Sequence, residues 1–289
     1  MICLKNDFLV VEIDTKGAEI KSIYHRQFDL NYLWNGDADY WNRSAPVLFP
    51  IVGKLKNNTY SYKDNSYHLT QHGFARDATF TVEKANETEA VFLLSSTIET
   101  KKVYPFDFDL HIIYTLSNAS LNVAYRVLHK GTGKMFFSIG AHPGFNCPLE
   151  QGLAFEDYRL TFERKETTKR LLVGTDGISR KTEQVFADNT NVIPLTYDLF
   201  GAKDAIIFKS LKSDSITLTS AKSSHGLRFN FRGFPYMGIW TKPGPFLCIE
   251  PWYGIADFED ANGKLENKEG IIELNTQETF HASYSMEFF

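Results

Sequence analysis

From Phe106 to Leu116 the chain reads FDFDLHIIYTL, with Phe106, Phe108, Leu110, Ile112, Tyr114 and Leu116 on every second position. Such alternation puts one face of a strand against a core, whereas an amphipathic helix repeats its apolar positions every three to four residues. The turn-forming Ser117-Asn118-Ala119-Ser120 follows, and LNVAYRV then alternates through Leu121, Val123, Tyr125 and Val127. The two runs predict an antiparallel hairpin. The pattern returns in SYKDNSYHL, TFTVEKANETEAVFLL, SITLTS from Ser215, GLRFNFRGF from Gly226 and the terminal ASYSMEFF. No stretch sustains a helical period. The best short helical candidate is LTYDLFGAKDA from Leu195, and ANGKLENKEG from Ala261 reads as a polar loop.

Strands recur with no βαβ rhythm, no Gly-rich phosphate loop and no linker, which predicts an all-β chain. The expected architecture is one domain over residues 1–289, a large antiparallel β-sandwich of two broad sheets. A composition of 43% hydrophobic residues, with 24 Phe and 14 Tyr, supplies the apolar surface for such a core.

The 31 basic and 35 acidic residues form no long block of one sign, which argues against a nucleic acid partner. The opening MICLKNDFLVVEID lacks the apolar core of a signal peptide, and no run approaches the roughly 18 apolar residues of a membrane span. The expected location is cytoplasmic, with no membrane partner. Cys3, Cys147 and Cys248 have no CxxC spacing and read as reduced, buried thiols.

Four stretches set polar residues among glycines, prolines and aromatics: WNRSAPVLFPIVGKL, QHGFARDATF, IGAHPGFNCP and FLCIEPWYG. Glu250 stands between the apolar run Phe246–Ile249 and Pro251-Trp252-Tyr253, where a carboxylate is costly unless paired. His142 lies in a turn beside Pro143 and Gly144, and His72 beside Gly73 and Phe74. Each alone reads as a structural residue; together they suggest an acid/base site. The remaining histidines, His25, His68, His111, His129, His225 and His281, read as surface or sheet-edge positions. His72, His142 and Glu250 lack HExxH or H-x-H spacing, so no metal is expected, and no G-x-S-x-G nucleophile motif is present. Rings such as Trp240, Trp252 and Phe145 beside Arg, Asp and His suit a sugar, which offers C–H faces and hydroxyls.

The ordered strings APVLFPIVGKL, QHGFAR, GAHPGFNCP, DAIIF, MGIWTKPG and CIEPWYG resemble the aldose 1-epimerase (galactose mutarotase) superfamily, most closely its LacX-like bacterial branch, over essentially the whole chain. The resemblance implies a β-supersandwich and a sugar site that interconverts anomers. It implies Glu250 as general base, His142 as general acid and His72 as a second histidine near the ring oxygen. Arg43, Arg76 and Asp204 would bind sugar hydroxyls.

Opening a hemiacetal removes a proton from the C1 hydroxyl and delivers one to the ring oxygen, which requires an acid and a base on opposite sides of the anomeric centre but no cofactor. Ionised Glu250 and protonated His142 are expected to favour each other by attraction. The NRSAPVLFP string lies nearer the branch that includes hexose-6-phosphate epimerases, so a phosphorylated aldose held by Arg43, Arg76 or Lys54 is the first alternative. A non-catalytic sugar-binding protein or sensor is the second. The partner expected in every case is a small sugar, and the chain a monomer or homodimer.

Overall fold

The Phe106–Leu116 alternation becomes the strand Phe108–Ser117, antiparallel to Ser120–His129 in a register that runs from Phe108 opposite His129 to Ser117 opposite Ser120. A computed structural model describes residues 1–201 and 205–289. Within the hairpin, Leu110, Ile112, Val123, Tyr125 and Val127 are fully buried. Burying one such side chain contributes on the order of 1.5–3 kcal/mol. A one-residue slip would turn the whole set to the other face, so the alternation itself fixes the register.

The other alternating runs pair as antiparallel strands in the same way. Thr59–Tyr62 pairs with Asn65–His68, Thr81–Ala85 with Glu89–Ser95, and Ser215–Ser220 with Gly226–Asn230. The terminal Thr279–Phe288 pairs with both Ser120–His129 and Gly226–Asn230. One sheet of 15 strands runs from Val47–Leu48 through Ile139–Ala141, Phe246–Tyr253, Tyr236–Trp240 and Ile206–Lys209 to Tyr158–Val173, and ends at Thr81–Ala85. Strands distant in that order meet through their side chains. Phe145 packs edge-on to Phe229 at 6.1 Å, and Phe49 meets Phe108 at 5.0 Å. The core therefore lies between the two halves of one folded sheet rather than between two separate broad sheets, and a four-stranded sheet over Ile2–Asn31 adds to it.

Several local expectations are corrected. Among the described residues the α-helix is Ile98–Val103, begun by a Thr97/Thr100 capping box, and its six residues are too short to write an apolar stripe into the sequence. Among the described residues of the LTYDLFGAKDA candidate, Tyr197–Phe200 forms one 3₁₀ turn. ANGKLENKEG is not simply a solvated loop: Leu265 and Lys268 are buried, and the Lys268 ammonium lies 3.2 Å from the Asp257 carboxylate. His25, His111 and His129 are buried rather than superficial, His25 by stacking on Phe28 at 3.9 Å. Cys147 and Cys248 are buried as expected, but Cys3 is exposed. Among the described residues no helix is long and apolar enough to cross a membrane.

Candidate active site

Strand pairing explains how residues more than a hundred apart in sequence meet. The strand Phe246–Tyr253 pairs with two short strands on one side: Gly140 lies opposite Trp252, and Gly144 opposite Cys248. Carrying that antiparallel register through the intervening turn sets His142 across from Glu250. Ile249 N–H donates to the Pro143 carbonyl at 3.2 Å and ties the turn to the strand. His142 Nε2 is accordingly 3.1 Å from Glu250 Oε2. Its place between Ala141 and Pro143 is thus a position on a strand break, aimed at a carboxylate.

The aromatic floor beside this pair depends on missing side chains. A Cβ on Gly140 would stand 2.5 Å from Trp252 Cδ1, and one on Gly238 would stand 2.6 Å from its Cη2. Trp252 is therefore slotted between glycines of the two flanking strands, and its Nε1–H donates to the Ala141 carbonyl at 3.2 Å. It forms the floor of the cleft, largely buried, whereas Trp240 is half-buried in its wall.

His72 arrives from a separate turn. Its backbone has φ 67, and its Nδ1 accepts from the Gly53 N–H at 3.1 Å. With Nδ1 an acceptor, the neutral ring carries its proton on Nε2, which lies 3.2 Å from the Gln71 side-chain amide. The His72 and His142 rings meet edge to face, with centroids 5.7 Å apart.

Arg43, Arg76, Gln71 and Lys242 line the same cleft, whose volume is about 390 Å³, within the range of roughly 300–1,000 Å³ usual for small-molecule sites. Arg43 Nη2 donates to Asp77 Oδ1 at 2.8 Å, and Arg76 Nη2 to the Gln71 carbonyl at 2.7 Å. Arg76 Nε is buried without a hydrogen-bond partner. A smaller cavity of about 270 Å³ beside Asp257 and Lys268 contains no histidine, and it lies apart from this group.

The electrostatics depart from the expected ion pair. Burial lowers His142 to about 3, with a backbone hydrogen bond offsetting part of the shift and Arg76 and Arg43 adding repulsion. Burial also pushes Glu250 well above the usual carboxylate range. His72 is lowered well below an ordinary histidine, first by burial and then by His142, Arg76 and Arg43. The separation of 3.1 Å would qualify as an ion pair, yet Glu250 Oε2 and His142 Nδ1 each lack a hydrogen-bond partner. Desolvation of two buried ions outweighs their attraction here, so the free protein favours a neutral couple that holds one proton.

Of the residues singled out in the sequence, Glu250, His142, His72, Arg43, Arg76, Trp240 and Trp252 all border one cleft. Asp204 lies outside the described residues. Phe145 belongs to the core rather than the cleft, and Lys54 donates to the Asp176 carbonyl at 2.8 Å. Trp41, Gln71 and Lys242 were missed, as were Val173, Gly174, Thr175 and Gly177 around the turn that bounds the cleft. The one signal for Trp41 was its nearness to Arg43 in a stretch already rich in aromatics and prolines.

Known proteins resemble this chain over nearly its whole length. The model of the family described as aldose 1-epimerase matches residues 1–272. The plasmid-encoded protein LacX of Lactococcus lactis subsp. lactis is 36% identical, covering 98% of this chain and 97% of its own. A galactose mutarotase related enzyme from Lactobacillus acidophilus superposes with TM-score 0.95 at 37% identity, over 99% of this chain and 96% of that one. A galactose mutarotase-like protein from Lactobacillus casei ATCC 334 has TM-score 0.94 at 30% identity, over 100% of both chains.

Proposed function

The chain belongs to the aldose 1-epimerase family, and from that premise we propose that it interconverts the α and β anomers of a free aldohexose, with Glu250 and His142 as its proton-transfer couple. The observation that carries this reading is the separation of 3.1 Å between His142 Nε2 and Glu250 Oε2 inside a cleft walled by Trp41 and Trp240.

Glu250 and His142 are in contact with each other, not on opposite sides of the anomeric centre as expected from the sequence. Because the anomeric carbon bears two oxygens, the hydroxyl O1 and the ring O5, a donor and an acceptor held side by side can still serve both. Glu250 takes the O1 proton while protonated His142 gives its own to O5, and the C1–O5 bond breaks. The aldehyde turns about C1–C2, O5 attacks its other face, and the two protons return. Each positioned group is typically worth about 10² to 10⁴ in rate.

In this scheme the couple enters as carboxylate and imidazolium and leaves the opening step neutral. Burial favours the neutral form, so desolvation works in the direction of ring opening. Sugar hydroxyls that donate to Glu250 stabilise the carboxylate before the step. The Nε2–H of His72, fixed by Gly53, supplies a neutral donor on the ring-oxygen side. Arg43, Arg76 and, by resemblance, Asp204 hold hydroxyls. The reaction has no net redox change and calls for no cofactor.

Polarimetry on freshly dissolved α-glucose and α-galactose tests the proposal. Wild type should speed the approach to equilibrium, and Glu250→Gln and His142→Asn should each slow it by about 10² to 10⁴. Wild-type protein that binds a sugar without speeding any free or phosphorylated aldose would instead be a binding protein.

A second reading, a hexose 6-phosphate as substrate, draws support from the three cations of the cleft, Arg43, Arg76 and Lys242, and from the Nε of Arg76, which makes no hydrogen bond and faces Asp77 only at 3.8 Å. A kcat/KM at least ten-fold higher for the 6-phosphate, lost on Arg76→Gln, would favour it.

A further inference from the structure

Cys248 has no part in the mechanism above. It stands two residues before Glu250 on the Phe246–Tyr253 strand, so the two side chains leave the same face. Opposite it is Gly144, where an added Cβ would already lie 3.4 Å from Cys248 Sγ. A thiol sulfur, a ring nitrogen and a carboxylate oxygen from Cys248, His142 and Glu250 lie within 4.8 Å of one another. The Glu250 side chain is 2% exposed, and its Oε2 has no hydrogen-bond partner.

We propose that Cys248, His142 and Glu250 form a binding site for a thiophilic divalent cation, Zn²⁺ or Cd²⁺, and that its occupancy blocks turnover of the sugar. Thiolate, imidazole and carboxylate are all donors zinc accepts, and three protein donors with the fourth position open, here the side of the cleft, is the arrangement of its catalytic sites. The sulfur selects soft cations over Mg²⁺ and Ca²⁺, which prefer all-oxygen shells. Coordination at about 2.0–2.3 Å draws the three atoms inward, a change that side-chain torsions can supply.

The proton count also suits a buried site. The cation replaces the thiol proton and the one proton held by the His142–Glu250 couple, and both protons go to solvent. Two positive charges enter and two leave, so no net charge is added beside Arg43 and Arg76. The cation is an inhibitor here, and the mutarotation scheme needs none.

The test uses the full chain with Cys3→Ser, which removes the exposed thiol. Titration with Cd²⁺ alone should raise a thiolate-to-cadmium charge-transfer absorption in the ultraviolet that saturates at one equivalent. Cys248→Ala should abolish the band and weaken binding, measured by calorimetry, beyond the roughly 10–100-fold that loss of an outer-shell partner costs. Cys248→Ser, closer in size, repeats the measurement if the alanine variant loses its circular dichroism.

Zn²⁺ should slow mutarotation of the wild type, EDTA should restore it, and the Cys248 variants should keep their activity in Zn²⁺. Absence of the band in the Cys3→Ser protein, or its persistence in the Cys248 variants, would overturn the proposal. Because absorption and calorimetry require no turnover, failure of the metal site and failure of the mutarotase reading are distinguishable.

Discussion

The indole of Trp41 lies against the imidazole of His142, with ring centroids 4.8 Å apart and planes at 28°. Trp240 stands edge-on to both rings, at 5.6 Å from each. A π face beside an imidazole attracts its protonated form and limits its rotation. It therefore opposes the desolvation that keeps His142 neutral.

Trp41→Ala should lower kcat by about two- to thirty-fold, the equivalent of the roughly 0.5–2 kcal/mol that a cation–π contact supplies, with a smaller change in KM. Trp41→Phe should keep most of the rate. Initial rates by polarimetry over a range of sugar concentrations separate the two parameters. An alanine variant with wild-type kcat would mean that the stack only fills space.

In the proposed scheme Glu250 and His142 each handle one proton of the same ring-opening step, so losing either member disables the other. The Glu250→Gln/His142→Asn double variant should be no slower than the slower single variant. Independent roles would make the two losses multiply, a difference of at least about a hundred-fold that polarimetry resolves easily.

The same couple fixes the pH dependence of kcat/KM, which reports the free protein. The active form holds one proton between the two groups, so acid disables it by adding a second proton and alkali by removing the only one. His142 lies at about 3 and Glu250 well above its ordinary range, so the active window is broad. Activity should hold down to about pH 5, its acid limb lying far below the 6.5 of an ordinary histidine. An acid limb centred near 6.5 would show that His142 titrates as a solvated imidazole.

The strands were legible because burial on one face writes a period of two into the sequence, as in Phe108–Ser117 and Ser120–His129. Tyr158–Val173 and Ser179–Pro194 were not, since these arms are largely polar, carry bulges in their pairing and write no clean alternation. Their connecting turn contributes Gly174, Thr175 and Gly177 to the cleft and was missed for the same reason.

Glu250 and His142 stood out through their apolar neighbours, but their distance could not. It arises from a register fixed by pairing across a hundred residues, which leaves no local signal. His111 was misread because the face of its strand assumed to be wet is covered there, with Glu83 only 3.1 Å from its Nε2. The same limit applied to charge: the assigned roles of base and acid suggested an attracting ion pair, while the depth of burial that reverses the preference belongs to the folded chain alone.

That reversal also bears on stability. His72 and His142 are lowered in the folded protein, and His25 and His111 are lowered too, all of them chiefly by burial. In the unfolded chain each regains an ordinary pKa near 6.5. Below that pH the unfolded state binds more protons than the folded one, so stability must fall as pH falls from 6.5 towards about 3. Glu250 acts with the opposite sign: its raised pKa leaves the folded state holding a proton that the unfolded chain releases, so its contribution falls as pH rises above 4.5. The melting temperature should therefore drop between pH 6.5 and pH 5, where the histidines outnumber the single carboxyl. His142→Gln, which cannot take up a proton, should flatten part of that slope. A melting temperature independent of pH across this interval, or a slope unchanged in the variant, would mean that the buried imidazoles reach solvent and titrate in the folded protein as they do outside it.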